Sequence, residues 1–80
     1  MNIEDIKKVI IKEILNIAPD VEEDEIEGDE NIQESLEIDS FDFLKILTAL
    51  NEDLGVEVPE SDYDKVETLN KMAEYFAQRV

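Results

Sequence analysis

Apolar residues in this chain recur at intervals of three and four, with no sustained alternation anywhere, and that period decides the fold class. Ile3, Ile6, Val9, Ile10, Ile14 and Ile17 are separated by Lys and Glu, the pattern of a helix with one buried face. The spacing predicts a helix from about Ile3 to Asn16, ended at Ala18-Pro19-Asp20 because proline cannot continue the hydrogen-bond ladder. A second helical pattern starts at Ser40, runs to about Asp53 or Leu54, and is stopped by Gly55. Thr68 is placed to cap a last helix carrying Leu69, Met72, Ala73 and Phe76 on one face. Val56-Glu57-Val58-Pro59 is too short for a useful strand and reads as a connector, and Ser61 to Lys65 reads as a short helical turn. The expected fold is all-α: a small bundle of three main helices plus one short helix, with a long first loop. Eighty residues leave room for one core, so residues 1–80 are read as a single domain.

Charge limits what such a bundle can meet. Asp and Glu number 23 against 7 Lys and Arg, a formal net charge of -16, while a hydrophobic content of 42% separates the chain from the disordered class. Self-repulsion at this density predicts marginal folding that added salt improves. It also argues against nucleic acid or an anionic membrane as a partner, and favours surfaces that present Lys and Arg. With no cysteine there is no disulfide framework or thiolate metal site, and with no histidine the commonest general base is missing. The N-terminal stretch is broken by charge every few residues, and no later run reaches membrane-spanning length. A cytoplasmic address is the simplest expectation, and a Met1 leading straight into helix reads as a discrete protein.

Residues 21–38, VEEDEIEGDENIQESLEI, are acidic and show no sustained period. A loop this long in a compact domain is usually functional or anchored. Ile26, Ile32 and Leu36 are the expected anchors. At Asp39 the signal changes: Asp39-Ser40-Phe41-Asp42 offers side-chain oxygens to the free amides of a starting helix, with Asp42 in its first turn. The helix that follows carries more apolar residues than one buried face needs. Phe43, Ile46, Leu47, Leu50 and Leu54 form one stripe; Phe41, Leu44 and Thr48 form a second, offset from it.

The run Leu36-Glu37-Ile38-Asp39-Ser40-Phe41-Asp42 resembles the motif of acyl carrier proteins, in which an Asp-Ser pair opens the second helix. Leu50, Leu54-Gly55, Val58-Pro59 and Thr68-Leu69 fall at the family's spacing, so the resemblance spans nearly the whole chain. It implies a 4'-phosphopantetheine arm on Ser40, with Asp39 beside it, whose terminal thiol carries acyl groups as thioesters. The chemistry suits the position, because a hydroxyl at a helix N-terminus is open to a transferase and the phosphodiester then meets unpaired amides and the positive helix end. The resemblance further implies a monomeric carrier, not an enzyme, which docks a phosphopantetheinyl transferase and acyl-processing enzymes with basic surfaces. The expected docking residues are Asp39, Phe41, Asp42, Leu44, Lys45, Thr48 and Glu52. Fatty acid or polyketide intermediates are the expected cargo, with peptidyl and D-alanyl carriers sharing the plan.

Four positions depart from the family pattern. Glu37 stands where a glycine is common, Phe41 where leucine is usual, Phe43 where a smaller residue is frequent, and Lys45 where many members have glutamate. They predict a specialised member with its own partner set, and Phe43 raises a shortened acyl pocket.

Readings from other classes fare less well. A serine at the head of a helix is, on its own, an ordinary cap, and Phe41 with Leu44 would complete the core of a very small bundle. An acidic decoy for a basic partner fits the charge but not the Asp-Ser spacing. The carboxylates from Asp20 to Glu30 miss the EF-hand calcium spacing. No catalytic triad, metal centre or phosphate-binding glycine loop is present for an enzyme.

Overall fold

The computed structural model describes residues 2–80, and among these there is no β-strand. Four α-helices follow one another: α1 (Ile3–Ile17), α2 (Ile32–Leu36), α3 (Ser40–Leu54) and α4 (Leu69–Ala77). Short 3-10 segments, Glu23–Glu25 and the longer Glu60–Lys65, interrupt the two long connections. Each α-helix is opened by a side chain of the kind that satisfies free amides: Asn2 accepts from the Asp5 amide, Asn31 from Glu34, Asp39 from Asp42 and Thr68 from Lys71.

The three long helices form as the spacing predicts, and α1 is the hub. Ile6, Ile10 and Ile14, one per turn, are completely buried, and both α3 and α4 pack chiefly on α1. From α3 the core takes Phe43, Ile46, Leu47 and Leu50; from α4 it takes Leu69, Met72, Ala73, Tyr75 and Phe76. Leu54, expected on the same stripe, is only partly buried. Val56, Val58 and Val66 from the connection seal one side.

The acidic first connection is more ordered than its sequence suggests. Its second half forms α2, which the aperiodic pattern did not reveal: one five-residue turn cannot display a period. The anchors behave as expected, with Ile32 buried and Ile26 and Leu36 partly so; Ile38 joins them in the core. Polar ties fasten the same segment to the start of α4. The Ile32 amide donates to the Glu67 carbonyl at 2.8 Å, and the Asn70 amide to the Gly28 carbonyl at 2.9 Å. A Cβ on Gly28 would lie 2.8 Å from the end of the Asn70 side chain, so a larger residue here would require that exposed amide to swing aside.

Two left-handed residues punctuate the chain. Gly55, at φ 71°, ends α3 without strain, but Glu37, at φ 55°, ends α2 in a conformation that suits glycine better. Glycine at position 37 removes that steric cost. Glu37→Gly is expected to stabilise the fold by about 1 kcal/mol in urea denaturation. Glu37→Gln separates this conformational gain from the loss of one negative charge.

Glu13 is the one buried charged residue among those described, 8% exposed. Its pKa is raised above the ordinary 4.5, foremost by a hydrogen bond with Asp53 near the end of α3, then by burial and the Asp53 charge. The Asn16 amide, which donates to Glu13 Oε1 at 3.1 Å, and the charge of Lys12 oppose the shift. The folded state therefore holds this proton more tightly than the unfolded chain. The site's contribution is fully favourable below about pH 4.5 and is lost as pH rises through the folded value. Glu13→Gln is expected to raise the urea midpoint at pH 7, with the gain disappearing below about pH 4.5, as parallel titrations at both pH values would show.

Candidate functional site

Ser40 is the first residue of α3, and its position follows from what is fixed on either side of it. Glu37 turns the chain out of α2, Ile38 enters the core at 5% exposure, and Phe43 enters it again at 5% exposure. Ser40 and its two neighbours, Asp39 and Phe41, are left on the surface. Asp39 fastens the helix start: its Oδ1 accepts from the Asp42 amide at 2.8 Å, and its carbonyl from the Phe43 amide at 2.9 Å. The amides of Ser40 and Phe41 lie in the first turn, where no intrahelical acceptor exists, so they point out beside the serine hydroxyl. An exposed hydroxyl, free donors and the positive end of a 15-residue helix together suit an esterified phosphate.

The second stripe of α3 remains outside the core. Phe41 is 78% exposed and Leu44 40% exposed, which removes the reading that they complete the bundle. A shallow groove of about 410 Å³ runs down this face, lined by Phe41, Leu44, Lys45, Thr48, Ala49 and Glu52. It unites five of the residues expected to dock partners. Ala49 was not anticipated, although it lies four residues after Lys45 and eight after Phe41, on the same helical face. Asp39 and Asp42 stand at the head of the helix and are not part of the groove lining. The Thr48 hydroxyl donates to the Leu44 carbonyl at 2.9 Å and is spent within the helix. Asp42 and Lys45 approach to 3.7 Å across one turn, both partly exposed.

A smaller cleft, about 170 Å³, opens alongside between α3 and the following connection, lined by Leu44, Leu47, Thr48, Asn51, Glu57, Val58 and Tyr63. On another part of the molecule Tyr75 is buried on α4, a residue the helical pattern did not single out. Its hydroxyl donates to Asp62 at 2.8 Å, and the Arg79 guanidinium lies 3.6 Å from its ring centroid. The hydrogen bond from Tyr75 lowers the Asp62 pKa, while burial, followed by the Asp62 carboxylate, raises that of Tyr75. This network ties the second 3-10 turn to α4. Among the described residues no group of three or more His, Cys, Asp or Glu side chains is placed to hold a metal ion. None of the described helices is long and apolar enough to cross a membrane.

With this geometry in view, the chain matches the family described as "Phosphopantetheine attachment site" over residues 8–76. It belongs to that family. An acyl carrier protein of Campylobacter lari is 32% identical over 72 residues, covering 90% of this chain and 87% of the relative. One from Lactobacillus johnsonii is 34% identical over 55 residues, 69% of each chain, and one from Rubrobacter xylanophilus is 28% identical over 75 residues, 90% of this chain and 93% of the relative. As a member of the phosphopantetheine-attachment family the chain is a non-enzymatic carrier with a covalently bound 4'-phosphopantetheine. The all-α bundle with its long first connection is consistent with that assignment. Carrier proteins of this family work with a phosphopantetheinyl transferase and acyl-processing enzymes.

The Asp39 cap is the local device that holds the head of α3. Asp39→Ala is expected to cost about 1 kcal/mol in urea denaturation, whereas Asp39→Asn, which keeps the accepting oxygen, stays within a few tenths of the parent.

Proposed function

We propose that Ser40 is the attachment residue, and that the protein presents acyl thioesters on the arm to partner enzymes that dock on the exposed face of α3. The observation that carries this reading is the placement of an exposed hydroxyl at the first residue of α3, between the buried anchors Ile38 and Phe43. Attachment proceeds by attack of the Ser40 hydroxyl on the phosphate that bears the pantetheine arm in coenzyme A. A new oxygen–phosphorus bond forms, the pyrophosphate bond breaks, adenosine 3',5'-bisphosphate leaves, and the hydroxyl proton passes to a base on the transferase. The chain's role in this step is to hold the hydroxyl in the open and to lay first-turn amides beside the resulting phosphodiester.

Partners meet Phe41, Leu44 and Thr48 through apolar contact, with Asp39, Asp42 and Glu52 attracting basic side chains around them. Such charge complementarity speeds encounter and selects partners, while a small apolar patch keeps the contact transient. The cargo we favour is a fatty acid or polyketide intermediate handled by a monomeric carrier in the cytoplasm. The cleft beside Leu44 and Tyr63 is where the first carbons of that cargo would lie, and its small volume, with Phe43 committed to the core, suits a short chain.

Intact mass after incubation with coenzyme A and a broad-specificity phosphopantetheinyl transferase tests the attachment. One arm is expected on the parent and none on Ser40→Ala, while Ser35→Ala and Ser61→Ala load as the parent does. An arm that persists on Ser40→Ala would overturn the assignment.

A further inference from the structure

Between Glu13 and Asp64 the sequence carries 19 carboxylates and a single cation, Lys45. That cation is not at the margin of the molecule. It lies within the groove of α3, between Phe41 and Leu44 on one side and Thr48, Ala49 and Glu52 on the other, with its side chain 69% exposed. Its intramolecular role is slight. The 3.7 Å approach to Asp42 is an exposed pair three residues apart, a class that contributes about 0.5 kcal/mol or less to a helix. With so weak a tie to Asp42, the exposed Lys45 charge acts on whatever covers the groove. A uniformly basic surface, drawn in by the surrounding carboxylates, meets repulsion at the centre of the contact, where water is excluded and like charges cost most.

We propose that Lys45 is a specificity-determining residue: the surface that fits this groove carries a carboxylate opposite Lys45, set between an apolar socket for Phe41 and a basic residue for Glu52. This rests on the docking role proposed above for α3 and adds a charge register to it. The spacing follows from helix geometry. Lys45 lies four residues beyond Phe41 and Glu52 seven residues beyond Lys45, so the three elements of the partner succeed one another at about 6 Å and then about 10 Å along the helix axis. The occupant is an acyl-processing enzyme face of mixed charge. An all-basic face is disfavoured although the net charge of -16 attracts it from a distance.

The test uses the full-length protein, first converted to its arm-bearing form and checked by mass, so that failure of attachment is seen before docking is measured. The probe is a malonyltransferase whose docking face is uniformly basic, assayed with malonyl-coenzyme A, together with one variant of it in which the basic residue facing position 45 is changed to glutamate. With the basic enzyme, Lys45→Glu is expected to raise kcat/KM about tenfold over the parent at low salt, mainly through KM, with the gain shrinking to about twofold at 0.5 M salt. Lys45→Gln should fall between the two. With the glutamate-bearing enzyme the order reverses, and the parent is loaded faster than Lys45→Glu. Normal attachment of the arm accompanied by equal loading of the parent and Lys45→Glu by both enzymes overturns the proposal while leaving the carrier reading intact. A change in kcat that salt does not touch would overturn it equally, since a docking charge acts through encounter and affinity.

Discussion

The row of Ile6, Ile10 and Ile14 is the contact on which the rest of the structure depends. Each is completely buried, and both α3 and α4 pack on the helix that carries them. In a chain with 23 acidic side chains, this apolar rib has to hold together elements that repel one another. Removing a single methylene-rich side chain from such a row costs several times the energy of any surface pair in the molecule, on the order of 2–5 kcal/mol. The head of α3, and with it Ser40, is therefore placed by an isoleucine row on another helix, with Ile38 and Phe43 transmitting the constraint locally.

The acidic connection shows how the remaining repulsion is managed. Ten carboxylates lie between Asp20 and Glu37 with no Lys or Arg among them, so ion pairing within the segment is not available. The chain instead spends backbone and amide groups: Gly28, Asn31 and Ile32 bond to Glu67 and Asn70 at the start of α4. Two of these are neutral backbone hydrogen bonds, and the third runs from the Asn31 amide to the Glu67 carboxylate, which stays exposed, so the seam is held without burying a charge. The carboxylates themselves stay in water. Glu13 is the exception, and its raised pKa, caused foremost by Asp53 beside it, shows the cost that burial of one more acid brings.

Much of this was legible because the informative residues are periodic. Three long helices, the Gly55 stop, the Thr68 and Asp39 caps and the anchoring role of Ile26, Ile32 and Leu36 all follow from spacing and from side-chain chemistry at helix ends. What escaped was short or relational. α2 is too brief to show a period, and the burial of Tyr75 depends on Asp62 and Arg79, partners that neither its own helix pattern nor its neighbours identify. The same limit applies at the site. The second stripe on α3 was visible as a pattern, but whether it closed the bundle or faced outward depended on how much apolar surface the connections supplied. Val56, Val58, Val66 and Ile38 supply enough, so Phe41 and Leu44 are left free.

That surplus bears on what α3 is for. A helix of 15 residues has just over four turns, and a single stripe of Phe43, Ile46, Leu47 and Leu50 satisfies the core from one side. An aromatic ring kept 78% exposed one residue after Ser40 contributes almost nothing to folding, since hydrophobic stabilisation scales with area removed from water. The gain from covering that ring is available only when another surface arrives, and it is available next to the hydroxyl proposed above as the attachment point. Glu37 belongs to the same account from the opposite direction, because a left-handed glutamate before the serine costs folding energy that glycine would not. Both residues trade stability at the head of α3, one as uncovered apolar area and one as backbone strain, and both lie within three positions of Ser40. Apart from the buried Glu13 on α1, these are the local costs the fold carries, and their place beside Ser40 accords with the docking role proposed for this end of α3.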